Sequence, residues 1–199
     1  MSERDRKQTE GLLIDAVAKL LAEKGFAALG INAIARRAGV DKVLIYRYFG
    51  GLPQLLEAFA RTPEYWSSYE EMAGGDLTSL NELPVPKRLA TIVNGMGKAF
   101  RKRPMSLEAM AWETVESNKL TRILAEAREH SGKRLLSQLG IEPGNDEYMA
   151  FALLSAGVLY LSMLARHEEH WAGIPIQSPQ GWKQIEQGVS RMLNAIDKG

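Results

Sequence analysis

Four side chains between residues 42 and 48 of this 199-residue chain have the chemistry to hold a polyanion. They are Lys42, Tyr46, Arg47 and Tyr48, in the stretch "GVDKVLIYRYFGG" at 39–51. Lysine offers a point charge. Arginine offers paired donors that fit a phosphate or the edge of a guanine, and a tyrosine hydroxyl donates to phosphate oxygens. Arg36 and Arg37 lie just upstream, and Asp41 is the single acid between residues 26 and 50. Two other clusters invite chemistry. In "RHEEHW" (166–171), His167 and His170 stand three apart, not at the His-Glu-x-x-His zinc spacing, and no third ligand is evident. They read as solvated residues at a helix end, where a cationic imidazole suits the dipole, so no metal is expected. "NGMGKAF" (94–100) has a Gly-x-Gly-Lys look without the upstream strand or the spacing of a phosphate loop. The chain has no cysteine, three histidines and no nucleophile–base set. Neither enzymatic activity nor a cofactor is expected.

The elements that must carry these residues are helical. By propensity "VLIYRYF" is the best strand in the chain, yet nothing else alternates with period two. Leu12, Leu13, Ala16, Val17, Leu20 and Leu21 form one helical stripe, predicting a helix over 9–24 with Thr9 as cap and Gly25 as stop. Further helices are predicted over 31–38, over 42–48 with Asp41 as cap, and over 52–60 with Pro53 in the first turn. Thr62-Pro63 opens a short segment, and 73–87 reads as the longest loop. The remainder predicts helices over 87–102, 104–116, 118–139, 145–169 and 179–197, the last opened by Ser178-Pro179. The expected fold is all-α, with about nine helices.

Wound at 100° per residue, the opening run sorts by direction. Ile45 and Phe49 fall together as an anchor. Lys42, Val43, Leu44, Tyr46, Arg47 and Tyr48 lie around the other sides. Two readings fit this spacing. One is a pair of short helices inside an all-α core. The other is a helix-turn-helix that presents its second helix to a groove.

Residues 9–60 resemble the DNA-binding domain of the TetR (tetracycline-repressor-like) family of bacterial regulators. The matching residues are Gly25-Phe26, Ile34-Ala35-Arg36-Arg37-Ala38-Gly39-Val40, Tyr46-Arg47-Tyr48-Phe49 and Leu55-Leu56, in order and at family spacing. The resemblance implies a three-helix DNA-binding domain over 1–60, with its helix-turn-helix at about 30–49. A helical effector-binding and dimerisation domain would follow over 61–199. It implies DNA contacts from Asn32, Arg36, Lys42, Val43, Leu44, Tyr46, Arg47 and Tyr48. Departures are visible. Gly30 replaces a frequent capping Ser or Thr, Asp41-Lys42-Val43-Leu44 replaces a more polar opening, and Leu52 replaces a frequent lysine. Val43 and Leu44 could instead meet thymine methyl groups. The implied function is a ligand-responsive repressor that binds a pseudo-palindromic operator on double-stranded DNA as a homodimer. The alternative is a protein-interaction module with a degenerate DNA-binding head.

Composition agrees with a soluble domain: 45% hydrophobic, 25% charged and a net charge of +1. The N-terminus has no apolar signal core, and a cytoplasmic location is expected. Residues 148–165 carry no charge and touch the lower length of a membrane span, but the four alanines and the polar dilution favour a buried helix. By the resemblance, this helix and the last one form a dimer interface. Candidate residues are Ala152, Ala156, Leu159, Ile185, Val189 and Met192. Trp66, Met96, Phe100, Met110, Trp112, Tyr160 and Met163 could line an apolar pocket for a lipophilic effector, although the same side chains suit plain core.

Overall fold

Helical periodicity is realised from residue 3 onward. The computed structural model describes residues 3–62, 65–115 and 117–196, and among these no strand forms. The first helix, α1, spans Glu3–Lys24 and so begins six residues before the expected start. Glu3 and Asp5 in its first turn complement the positive end of the helix dipole. The ion pairs Arg6–Glu10, Lys7–Glu3 and Lys19–Asp15, each four residues apart, line its surface. Thr9 therefore lies inside the helix, not at its cap, and its hydroxyl donates to the Asp5 carbonyl at 2.8 Å. A 3-10 turn over Phe26–Ala28 follows. After it come α2 (Ile31–Ala38), α3 (Val43–Phe49) and α4 (Leu52–Ala60).

Where a long loop was expected, two short helices form, α5 (Tyr69–Ala73) and α6 (Leu77–Asn81). Their caps explain them. The Ser68 hydroxyl accepts from the Glu71 amide, and the Asp76 carboxylate accepts from the Thr78 amide, both at 3.1 Å. The expected opening at Thr62-Pro63 lies partly outside the described residues. The long helices are α7 (Val85–Arg101), α8 (Pro104–Val115), α9 (Lys119–Gln138), α10 (Asp146–Leu164) and α11 (Pro179–Ile196). The eleven α-helices among the described residues exceed the expected nine mainly through these short additions. The α10 helix stops five residues before the expected end, so His167 and His170 lie in exposed non-helical chain.

The chain divides into two compact units. The first comprises residues 1–66 and 103–130, the second 67–102 and 131–199. In the first, Leu13, Val17 and Leu21 of α1 meet Ile34 of α2, Ile45 of α3 and Leu55, Leu56 and Phe59 of α4, all fully buried. Burying each such side chain contributes about 1.5–3 kcal/mol. Leu12, placed on this stripe by period, is 43% exposed, because the face turned inward is centred on Leu13 and Val17. The Phe59 ring packs on Tyr65 at 5.1 Å, and the Ser106 hydroxyl of α8 donates to the Tyr65 carbonyl. Arg128 of α9 pairs with Glu113 of α8 at 2.5 Å. Burial raises the Glu113 pKa, and Arg128 pulls it back.

In the second unit α7 is the spine and packs on α5, α10 and α11. Two glycines make that possible. A Cβ on Gly95 would lie 1.7 Å from the Met72 carbonyl oxygen, and one on Gly97 would lie 2.7 Å from Val158 Cγ1. The Gly-x-Gly-Lys stretch is thus a helix-packing device rather than a loop. The Arg101 guanidinium lies over the Trp182 ring at 3.7 Å, and the Trp182 indole donates to the Ile176 carbonyl at 2.6 Å. The Asn94 amide donates to the Glu186 carbonyl at 3.2 Å, tying α7 to α11.

Candidate nucleic-acid interface

The first unit holds α2 and α3 apart by a short turn with its own chemistry. Gly39 takes φ 70° and ψ 29°, a left-handed conformation that ends α2 without a Cβ penalty. The Val40 amide then closes back on the Ala35 carbonyl at 3.1 Å. Lys42, not the expected Asp41, is the residue flanking α3; Asp41 stands one position outside it, where its Oδ1 accepts from the Val43 amide at 2.8 Å. At the far end Gly50, at φ 88°, closes α3 on the Tyr46 carbonyl at 2.9 Å.

Within α3 the β-prone letters sort as winding predicts. Ile45 is 0% exposed in the core, and Phe49 packs against the same cluster. Val43 and Tyr46 are 50% and 54% exposed, and Lys42 and Arg47 are also exposed. Leu44 and Tyr48 are half-buried on the flanks. One buried anchor on a seven-residue helix therefore holds a mixed apolar and cationic face outward.

The sequence-predicted contacts on α2 are also outward. Asn32 and Arg36 are exposed. Arg37 is paired with Glu23 of α1, which neutralises it. Arg36, Lys42 and Arg47 have no ion pair among the described residues, so the local field is positive. Gly30 precedes α2 in extended conformation with no side-chain cap.

One residue of this surface was not read from sequence. The Arg6 guanidinium lies over the Tyr48 ring at 5.4 Å while its Nε donates to Glu10 Oε1 at 2.8 Å. That hydrogen bond raises the Arg6 pKa above its ordinary value. The signal was obscured because α1 was expected to begin only at residue 9.

The remaining candidates fall in both units. Trp66, Met110 and Trp112 belong to the first, and Met96, Phe100, Tyr160 and Met163 to the second. Met96, Phe100 and Met110 are buried, while Tyr160 is half-exposed, edge-on to Trp171 at 5.6 Å. On α10 the expected burial does not occur within the chain. Only 17% of its apolar window is buried, with Ala152, Ala156 and Gly157 exposed beside Leu153 at 70% and Met149 at 50%. This is the one described helix long and apolar enough to cross a membrane. On α11 Met192 is 59% exposed, Leu159 of α10 and Ile185 are half-buried, and Val189 is core. Val189 faces inward because it shares the buried side of α11 with Trp182 and Leu193.

Residues 13–59 match the family model of bacterial regulatory proteins, tetR family. The HTH-type transcriptional regulator BetI of Escherichia coli O127:H6 (strain E2348/69 / EPEC) is 33% identical over 129 residues, which is 64% of this chain and 64% of BetI. The match thus spans less than two thirds of that relative. The fold is shared with the transcriptional regulator FadR of Bacillus subtilis, solved with stearoyl-CoA, at TM-score 0.64 and 17% identity, over 92% of this chain and 96% of that one. It is also shared with the fatty acid degradation regulator FadR of Bacillus halodurans, at TM-score 0.63 and 17% identity, over 93% and 94%.

Proposed function

We propose that this chain, whose residues 13–59 belong to the tetR family of bacterial regulatory proteins, is a ligand-responsive transcriptional repressor that binds a pseudo-palindromic operator as a homodimer. The observation that carries the reading is α3 itself: a single buried Ile45 behind an exposed set of Lys42, Val43, Tyr46 and Arg47. Such a helix has little packing role and suits a major groove.

In this reading Arg47 and Lys42 take phosphate or guanine, and Tyr46 and Tyr48 donate to phosphates. Val43 and Leu44 meet thymine methyls, while Asn32 and Arg36 contact the backbone from α2. Arg37 is left out, since Glu23 holds it. Residues 1–60 form the DNA-binding head and 61–199 the effector and dimerisation part. The exposed face of α10, with Met192 of α11, receives a second copy. Twofold pairing would set two α3 helices on two half-sites. The regulator works in the cytoplasm, and catalysis is no part of its role.

The effector acts by favouring the geometry that DNA does not, which needs only a differential affinity for the two states. The stearoyl-CoA held by the B. subtilis FadR makes lipophilic molecules the first class to assay. Candidate contacts are Met96, Phe100, Tyr160 and Met163 within the second unit and, taken by themselves, Trp66, Met110 and Trp112 within the first.

The test is operator binding. Genomic fragments flanking the gene are titrated at low and moderate salt. Expected is specific binding that weakens steeply with salt as phosphates are neutralised. Tyr46→Ala and Arg47→Ala should each lower affinity by about ten-fold or more at unchanged melting temperature. Unchanged affinity in both would sink the reading. Absence of binding to every fragment, with a protein partner recovered instead, would favour the interaction-module alternative.

A further inference from the structure

The DNA-facing surface of α3 has a neighbour on another helix. Arg6 sits on the second turn of α1, 42 positions before Tyr48 in sequence, with its guanidinium 5.4 Å from the Tyr48 ring centroid. Its Nε is held by Glu10 at 2.8 Å, one turn along the same helix. Tyr48 is half-buried on the flank of α3, next to exposed Arg47. Its phenol is thus bounded by its own helix and by a planar cation tethered from outside. A guanidinium over the face of a ring restricts the ring's rotation, because the attraction depends on the cation staying over the π-cloud.

We infer that Arg6 is a positioning residue of the DNA-binding surface: braced by Glu10, it fixes the orientation of Tyr48 through the face of its ring. The inference rests on the reading of α3 as the DNA-binding helix. It explains why the helical start at Glu3 matters, since a helix beginning at residue 9 would carry no Arg6 at this place. Arginine is required rather than any cation, because only a flat guanidinium both stacks on the ring and donates sideways to Glu10.

The test combines a DNA-free and a DNA-bound readout on the full chain. In the free protein, Arg6→Ala should shift the NMR resonances of the Tyr48 ring, assigned with Tyr48→Phe, at unchanged melting temperature. Unmoved resonances would overturn the inference whether or not any operator has been found. With operator, Arg6→Ala should weaken binding about three-fold, the size of an exposed cation–π contact. The double variant Arg6→Ala/Tyr48→Ala should bind no more weakly than Tyr48→Ala alone, because Arg6 acts through the ring. Arg6→Lys should recover little. Fully multiplicative losses, complete rescue by lysine, or a fall of about one in the salt slope on Arg6→Ala would each make Arg6 an independent charge contact and overturn positioning. If wild-type protein binds no DNA while the ring resonances still shift, the functional reading fails and the Arg6–Tyr48 brace stands.

Discussion

Asp41 Oδ1 accepts the Val43 amide at 2.8 Å, so the one acid of the segment proposed to face DNA is turned back onto its own helix. An aspartate at the tip of a DNA-binding helix is electrostatically awkward. The structure shows its compensation, which is to satisfy an orphan amide at the start of a helix too short to form without help.

Asp41 therefore has separable roles. Asp41→Ala should lose about 1 kcal/mol of stability, measured by urea denaturation. Asp41→Asn keeps the capping oxygen and removes the charge. It should hold that stability and tighten operator binding most at low salt, because repulsion from phosphates is then least screened.

Gly95 and Gly132 are both helical glycines with opposite expectations. A Cβ at Gly95 would lie 1.7 Å from the Met72 carbonyl, whereas one at Gly132 meets nothing within 4 Å. Gly95→Ala should cost about 3 kcal/mol or more, or prevent folding, since backbone and not a flexible side chain must move. Gly132→Ala should stabilise by about 0.5–1 kcal/mol, a gain of helix propensity without a clash. Thermal melts of both decide it.

Leu153 is 70% exposed on α10, at the centre of the face assigned to a second copy. Leu153→Glu should change the stability of an isolated chain by about 0.5 kcal/mol or less. It should nevertheless convert the proposed dimer to monomer in sedimentation velocity, because a charge cannot be buried there unpaired. A dimer of unchanged affinity would remove α10 from the interface.

Tyr65 is fully buried, and its hydroxyl has no hydrogen-bond partner among the described residues. Burial first, then the nearby Glu113 charge, pushes its pKa well above the ordinary 10. The unfolded chain therefore releases this proton near pH 10 while the folded protein keeps it. Stability is intact below pH 10 and falls as pH rises beyond it. Tyr65→Phe should lose no stability at neutral pH, and gain up to about 1 kcal/mol, since it removes an unsatisfied polar group. It should also flatten the alkaline decline in pH-dependent melts. Tyr69, raised by its own burial, supplies the part that remains.

The residues themselves determined what is local. Ile45 and Phe49 share a face because they are four apart on a helix, and Gly39 must stop α2 because the chain turns left-handed there. The order of α1 to α4 and the outward set on α3 follow from such short-range rules. Tertiary structure decided whatever depends on which helix lies opposite. A period gives α11 an apolar face, yet only packing shows that Val189 is core while Met192 remains exposed. The uncharged letters of α10 suggest burial, and the single chain leaves its face open. The pairing of Arg37 with Glu23 and the brace of Arg6 on Tyr48 join residues far apart in sequence, where spacing carries no information. The physical division is between torsional preferences within one or two turns and contacts that exist only once separate helices have met.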